Sequence, residues 1–319
     1  MSGRAVAACS ALALLIASAA SAAAPAVQFR VYAQTGIRLT DIVWTGERFL
    51  YLENTKNTVW AADRTGRRAG VFASMPKQTE ETRCRLPAGS HGFAAGDLYC
   101  HSPDNTIYRI DPSGKVTTFA KLPEQAISDG ALAFDTVGRF GFALLAATGR
   151  SGRSNSAPGA VYAISPAGVV RRVGRYTATG GADEIVVAPA GFRSGAGQAV
   201  LTIDASKTGS LLMMSPRGAV RRIAQLPDGP NPIVAVPRGS GGASPGVAPG
   251  LYVTDTLSKN VFFAPASALA RYAGDLVVGS ELRALFWAVR PRGSGFQAVR
   301  IPAVLPGSKF NLEGAVYVI

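Results

Sequence analysis

Histidine, cysteine and charged residues are scarce in this chain. Its 319 residues include 2 histidines and 3 cysteines, and charged residues make up 17% of the total. So few histidines exclude a His-rich metal or haem site, and no cysteine pattern typical of a metal site is present. Neither a Ser-His-Asp arrangement nor a phosphate-binding glycine loop occurs at convincing spacing. Because 47% of the residues are hydrophobic, the chain is neither disordered nor a coiled coil.

The first 24 residues have the order of a secretory signal peptide. Arg4 precedes the apolar run AVAACSALALLIASAASAAA, which ends in small residues before Pro25. This order predicts cleavage and export to the periplasm or the extracellular space, with a membrane anchor as the alternative. No second apolar run approaches the ~20 residues that span a bilayer, so no transmembrane span is expected after cleavage. Residues 25–319 are predicted to form one secreted domain.

Two cysteines, Cys84 and Cys100, remain once the leader is removed. In an oxidising compartment this pair predicts a disulfide that joins neighbouring strands of one sheet. Such a bridge typically contributes about 3 kcal/mol to stability. Two buried thiols are the alternative interpretation.

A repeat of about 50 residues occupies the rest of the chain. Each copy has Asn or Gly, then a small residue, then two large apolar residues. The copies begin at Asn57, Asn105, Gly159, Gly209, Asn260 and Gly314. Asn and Gly suit a tight hairpin turn, and the residues that follow suit a strand. Four short strands fit in each copy, so the chain is predicted to be an all-β, six-bladed propeller with four-stranded blades.

The two ends of the repeat predict how the ring closes. In the last unit, strands are expected from Glu281, Gln297 and Gly314, and a fourth strand is missing. The segment AVQFRVYA after the leader resembles a fourth strand without the three that should precede it. We expect this N-terminal strand to complete the last blade beside the C-terminal strand, which leaves no open sheet edge.

Two segments, GLYVTDTLSKNVFFAP and DLYCHSPDNTIYRIDPSGKVTTFAKLP, carry a resemblance to a known group. They resemble six-bladed propellers of the NHL-repeat and gluconolactonase-like (senescence-marker-protein-like) group. The resemblance covers nearly the whole chain after the leader. It implies the fold more strongly than any activity, because propellers serve many functions.

Acidic residues are expected to gather at one mouth of the central channel, where the predicted inner strands begin. The leading positions are Asp41, Glu81, Asp129, Glu184, Asn231 and Glu281, and the hairpin loops on the same face add Glu53, Asp104, Asp204, Asp255 and Glu313. These side chains either satisfy their own loops or bind a cation, with Ca²⁺ favoured because every ligand would be oxygen. The leading hypothesis is an exported binding or interaction module whose acidic mouth accepts a divalent cation or a small polar ligand.

The resemblance implies a rival function at the same mouth. Gluconolactonase-like enzymes hold a catalytic divalent metal there through a Glu, an Asn and an Asp from different blades. By this resemblance Asn231 and Asp129 would be metal ligands with a catalytic role, and Asp41 would stand where the group has Glu. A metal-bound water would then attack a lactone or an ester. Whether the chain is an enzyme stays open at this point.

Positive charge is spread along the chain, which has a formal net charge of +13. Arginine pairs recur on the predicted outer strands, at 67–68, 171–172 and 221–222. They predict either a basic belt for an anionic envelope component or a charged edge that blocks strand pairing. Nucleic acid is not expected as the partner of an exported protein. The two histidines, His91 and His101, are expected to be structural.

Overall fold

The computed structural model describes residues 25–56, 58–76, 81–87, 89, 91–124, 129–149, 159–178, 180–204, 208–239, 244 and 246–319. The predicted signal peptide, residues 1–24, lies outside these ranges, and so does Asn57 of the repeat. The strands of the described residues form six four-stranded sheets and one two-stranded sheet. The prediction of an all-β, six-bladed propeller with four-stranded blades is confirmed.

Blades 1 to 4 follow chain order from the channel outwards. Two strands come first, β1 Val27–Gln28 and β2 Arg30–Gln34. Blade 1 consists of β3 Leu39–Trp44, β4 Phe49–Glu53, β5 Thr58–Ala62 and β6 Arg68–Ser74. Blade 2 consists of β7 Arg83–Arg85, β8 Leu98–His101, β9 Thr106–Ile110 and β10 Val116–Lys121. Blade 3 consists of β11 Ala131–Phe134, β12 Leu144–Ala147, β13 Gly159–Ile164 and β14 Val170–Tyr176. Blade 4 consists of β15 Ala182–Val187, β16 Ala199–Ile203, β17 Gly209–Met214 and β18 Val220–Leu226.

The last two blades interleave along the chain. Blade 5 consists of β19 Pro230–Ala235, β22 Leu276–Ser280, β23 Arg283–Arg292 and β24 Gly295–Ile301. Blade 6 consists of β26 Leu312–Val318, β20 Gly250–Asp255, β21 Asn260–Pro265 and the N-terminal β2. A short strand β25 Ala303–Val304 pairs with β1, and the helical turns are Arg193–Gly195, Ala266–Leu269 and Ala270–Tyr272.

The predicted strand order in these two blades is wrong, although the N-terminal strand does complete the last blade. The hairpin at 250–265 belongs to blade 6 instead of blade 5, and the segment 283–292 is a third strand instead of an inner one. The C-terminal strand is the innermost strand of blade 6, so the N-terminal strand pairs with β21 and not with it. The physical reason is that strand partners are set by long-range pairing, of β19 with β22 and of β20 with β26, which the spacing of the repeat does not specify.

Tight turns with predicted chemistry join the outer strands. At Asp111, the side-chain Oδ1 accepts hydrogen bonds from Ser113 N at 2.9 Å and Lys115 N at 3.0 Å. Gly114 closes the turn by donating to Asp111 O, at a φ of +88° that favours glycine. Asp63 and Gly66 make the equivalent turn in blade 1.

The core lies between neighbouring blades, because each sheet packs both of its faces. Leu50 and Leu52 of blade 1, for example, pack with Leu98 and Tyr108 of blade 2. The inner strands contact one another in sequence around the ring, from β3 through β7, β11, β15, β19 and β26 back to β3. This ring brings the first residues of strands from different blades together.

The predicted disulfide is present. Cys84 and Cys100 are directly paired across β7 and β8, with Cα atoms 4.1 Å apart and a covalent bond between their sulfurs. Among the described helical segments, none has the length and apolar character needed to cross a membrane.

Candidate functional site

The predicted mouth residues occupy three kinds of position. Asp41, Glu184 and Asn231 lie within the first three residues of the inner strands β3, β15 and β19. Glu81 and Asp129 each precede their inner strand, β7 or β11, by two residues. Glu281 lies in the turn between β22 and β23 because its segment is not an inner strand, and Glu313 is the second residue of the inner strand of blade 6.

β-Bulges reorient the side chains at several strand entrances. The pairing register shifts near the beginning of β3, β15, β19 and β26. A bulge breaks the alternation of side chains between the two faces of a sheet. In β15 the shift falls at Asp183, and both Asp183 and Glu184 are buried.

Two arginines that the sequence analysis did not single out lie among these acids. Arg83 is fully buried, and its Nη2 lies 2.9 Å from Glu313 Oε2 and 3.3 Å from Glu81 Oε2. Arg83 Nε is 3.8 Å from Glu184 Oε1, and Nη1 donates to Thr40 O. A buried guanidinium is tolerated only with such partners, because removing its charge from water is costly.

Arg85 holds the acids of blades 1 and 4 together. Its Nη1 lies 2.6 Å from Asp41 Oδ2, and its Nη2 lies 2.5 Å from Glu184 Oε2. Asp41 also accepts hydrogen bonds from the backbone N–H groups of Ile42 and Cys84, each at 2.9 Å. Asp41 is therefore held by three donors within the protein.

Glu313 connects blade 6 to blade 5. Its Oε2 accepts from Asn231 Nδ2 at 3.0 Å, and its Oε1 accepts from Asn311 Nδ2 at 2.6 Å. Burial raises the pKa of Glu313 to about 7, although Arg83 acts in the opposite direction. We call Arg83, Arg85, Asp41, Glu184 and Glu313 the paired side of the mouth.

A second group of acids, the acidic side, consists of Asp183, Asp204 and Glu281. Burial, with the charges of Asp129 and Asp204, raises the pKa of Asp183 well above its usual range. Burial and the charge of Asp204 raise the pKa of Glu281 to about 7. The side chains of Asp183 and Glu281 make no hydrogen bond or ion pair in the part of the chain that the structure describes.

Gly229 provides the room for two of these carboxylates. A Cβ at this position would lie 2.4 Å from Asp204 Oδ1 and 3.2 Å from Glu281 Oε2. The two oxygens therefore approach the same point of the backbone from different blades. Only glycine leaves this space free.

The six predicted ligands do not form one cluster. Asp41 and Glu184 are bound by Arg85, and Asn231 donates to Glu313. Asp129 and Glu81 contribute to the negative field around Asp183. Within the described ranges, no three His, Cys, Asp or Glu side chains are arranged as a metal centre.

Neither histidine pairs with these acids among the described residues, although His101 lies opposite Arg83 across β7 and β8. His101 is buried with its ring nitrogens 3.3 Å from Ala131 O and Asn105 Oδ1, and burial lowers its pKa to about 4. Its imidazole is therefore neutral at physiological pH. The ring of His91 stacks on Phe142, with centroids 3.8 Å apart.

Comparison with known proteins gives similarity at the level of the fold. No family model matches the chain, and no curated protein matches it in sequence. The periplasmic gluconolactonase PpgL of Pseudomonas aeruginosa aligns with 14% identity and a TM-score of 0.40, over 59% of this chain and 54% of that one. This chain thus spans about half the length of that lactonase.

Two other solved structures align over more of the chain. The PQQ-bound aldose sugar dehydrogenase of Streptomyces coelicolor has 13% identity and a TM-score of 0.49, over 90% of this chain and 97% of that one. A putative 6-phosphogluconolactonase from Bacteroides fragilis has 10% identity and a TM-score of 0.48, over 87% and 72%. At these levels none of the three tells what this chain binds or does.

Proposed function

We propose that the chain is a binding module whose acidic side takes a cation, either a divalent metal ion such as Ca²⁺ or the charged group of a small polar ligand. One observation carries this proposal. Asp183 is 5% exposed, and its carboxylate has no hydrogen-bonding or ionic partner among the described residues. The described charges that act on it are all those of acids. A buried carboxylate without a partner is stabilised by a proton or by a cation.

The balance of charge at the mouth supports the same conclusion. Arg83 and Arg85 are shared among Asp41, Glu184, Glu313 and Glu81. Asp183 and Glu281 add further negative charge next to this network. An incoming cation would restore the balance, and an all-oxygen environment suits a hard ion such as Ca²⁺.

Thermal unfolding with added cation tests the proposal. At pH 8, CaCl₂ at a hundred times its Kd should stabilise the protein by about 2.7 kcal/mol relative to NaCl of equal ionic strength. 1,4-Diaminobutane tests the ammonium alternative in the same assay. The effect should disappear in Asp183→Asn and remain in Glu47→Gln, because Glu47 is exposed. Equal melting temperatures with and without both cations would overturn the proposal.

An oxidising compartment is part of this proposal. The Cys84–Cys100 disulfide supports it, because such bridges persist outside the reducing cytosol. Detection of the processed chain in the periplasmic or culture fraction of the producing cell is the corresponding test.

A metal-dependent hydrolase is the second candidate function, and one atom favours it. Asn231 is 2% exposed, and its Oδ1 has no hydrogen-bond partner in the part of the chain that the structure describes. A buried carboxamide oxygen without a hydrogen-bond donor is a suitable ligand for a hard metal ion, and such an ion would supply an activated water. Asp41 is not available as a third ligand, because Arg85 already binds it. Asn231 and Asp129 would hold the metal. A panel of lactones and aryl esters, with and without chelator, tests this candidate, and Asn231→Ala should abolish any turnover found.

A further inference from the structure

Three successive blades end in the same way at the mouth face, which makes their outer grooves comparable. Tyr176 and Leu226 pair with Gly159 and Gly209, the first residues of the third strands of blades 3 and 4. Leu122 donates in the same way to Asn105 O, just before the third strand of blade 2. Two residues further along, the equivalent positions are Glu124, Ala178 and Asp228. Two of these three positions therefore carry a carboxylate, and the one after blade 3 does not.

In both neighbouring grooves the carboxylate faces a partner. Glu124 accepts a hydrogen bond from the Tyr162 hydroxyl, and Arg172 and Arg175 act electrostatically on that hydroxyl. Asp228 Oδ2 accepts from Ser280 Oγ at 2.6 Å and lies 3.3 Å from Arg283 Nε.

The groove between blades 3 and 4 keeps the arginine without the acid. Arg222 pairs with Leu212 in the register by which Arg172 pairs with Tyr162. Arg222 makes no ion pair or hydrogen bond through its side chain with the residues that the structure describes. The position equivalent to Glu124 and Asp228 is occupied by Ala178, whose methyl group leaves space there.

A cavity of about 340 Å³ occupies this space. It is lined by Thr177, Ala178, Ile203, Thr208, Ser210, Leu212, Arg222 and Gln225. Its three hydroxyl groups and the Gln225 amide make no side-chain hydrogen bond within the described ranges. The cavity is thus lined by one guanidinium group, several neutral polar groups and a few apolar side chains.

We propose that this cavity binds a small hydroxylated carboxylate. The ligand's carboxyl group would take the place that Glu124 and Asp228 fill in the neighbouring grooves, and the guanidinium of Arg222 would bind it through two hydrogen bonds. Thr177, Ser210 and Gln225 would bind the hydroxyl groups. A volume near the lower end of ligand pockets fits a molecule of monosaccharide size. This site is separate from the acidic side of the mouth, and the proposal does not depend on the cation.

Isothermal titration of the intact chain with D-glucuronate tests the proposal, with D-glucose as the neutral control and inorganic phosphate as the plain anion. We expect binding of one D-glucuronate and none of D-glucose. Arg222→Gln should weaken binding at least about tenfold, because the charge-assisted hydrogen bonds are lost. Ala178→Asp should abolish binding, because it restores an internal carboxylate beside Arg222.

Two control variants separate this site from other effects. Arg171→Gln removes the same charge from an exposed position outside the cavity and should leave the affinity unchanged. Asp183→Asn should also leave it unchanged, because Asp183 belongs to the acidic side. Equal binding by wild type and Arg222→Gln would overturn the site. Phosphate binding as tight as that of D-glucuronate would overturn the assignment to a hydroxylated ligand.

Discussion

The two sides of the channel mouth contain the same kind of side chain, but they differ in whether arginines pair with it. On the paired side, Asp41, Glu184 and Glu313 accept hydrogen bonds from Arg85, Arg83 or amide groups. On the acidic side, Asp183 lies among other carboxylates and its pKa is raised. The difference comes from one three-residue strand, Arg83–Arg85. Its guanidinium groups form ion pairs with the acids of the paired side, whereas the charge of Arg83 acts on Glu281 without a described ion pair. Acid content alone is therefore a poor guide to a binding site, and the distribution of counter-charges decides where a cation is favoured.

Removal of Arg83 should have the largest effect, because it breaks the paired side. We expect Arg83→Met to lower the free energy of unfolding by about 3–5 kcal/mol, since Glu313, Glu184 and Glu81 lose a buried counter-charge. Urea unfolding at pH 7 measures this loss. Arg48→Met, at a half-exposed arginine, should change stability by less than about 1 kcal/mol. Similar losses in both variants would show that the ion pairs of Arg83 contribute no more to stability than those of an exposed arginine.

Removing the disulfide tests how much the bridge on the strand that carries both arginines contributes to the free energy of unfolding. Cys84 lies between Arg83 and Arg85, and its bridge to Cys100 spans 16 positions. The double variant Cys84→Ala, Cys100→Ala should lose about 3 kcal/mol, because the unfolded chain regains freedom. Urea unfolding in oxidising buffer measures the loss, and reduced wild type should match the variant. An unchanged urea midpoint after reduction would contradict the stabilising role of the bridge.

Neutralising Asp183 should have a smaller effect on stability than either of these changes, and of the opposite sign. Its pKa is higher in the folded than in the unfolded state, so the charged form opposes folding once the pH exceeds its usual range. Asp183→Asn should therefore stabilise the protein by about 1–2 kcal/mol at pH 8 without added divalent ions, and by less at pH 5. Paired urea titrations at the two pH values measure the difference. Destabilisation at pH 8 would indicate that Asp183 has a stabilising partner after all.

The wild type should show the same dependence through Glu281. Its pKa rises from 4.5 to about 7 on folding, so this group favours the folded state below pH 4.5 and loses that contribution as the pH rises to about 7. A melting series over this range, compared with Glu281→Gln, isolates its share. Identical pH profiles for the two proteins would contradict the raised pKa.

The sequence was sufficient for the repeated parts of this molecule. Turn residues such as Asp111 and Gly114 act locally, so the hairpins and the number of blades could be predicted from their spacing. The disulfide could also be predicted, because Cys84 and Cys100 fall on neighbouring strands of one blade.

Strand partners and counter-charges could not be predicted in the same way. An apolar segment such as the one after Gly314 suits an inner strand and a third strand equally, and only its distant partner β20 decides between them. Arg83 and Arg85 flank a cysteine in what reads as an ordinary strand, so nothing local indicates that they meet acids of blades 1, 4 and 6. The bulge that falls at Asp183 depends on pairing with β16 and leaves no signal in the sequence.

Exchange of strands between blades 5 and 6 gives the ring an unusual seam. The chain leaves blade 5 after one strand, lays down two strands of blade 6, returns for three more of blade 5 and then adds the innermost strand of blade 6. Because the chain connects these two blades several times, unfolding of one blade should disrupt the other. We therefore expect the two blades to unfold as one cooperative unit. Blade 6 contains strands from both the N-terminal and the C-terminal parts of the chain. Loss of the seven residues of β26 would therefore remove the strand of blade 6 that lines the channel.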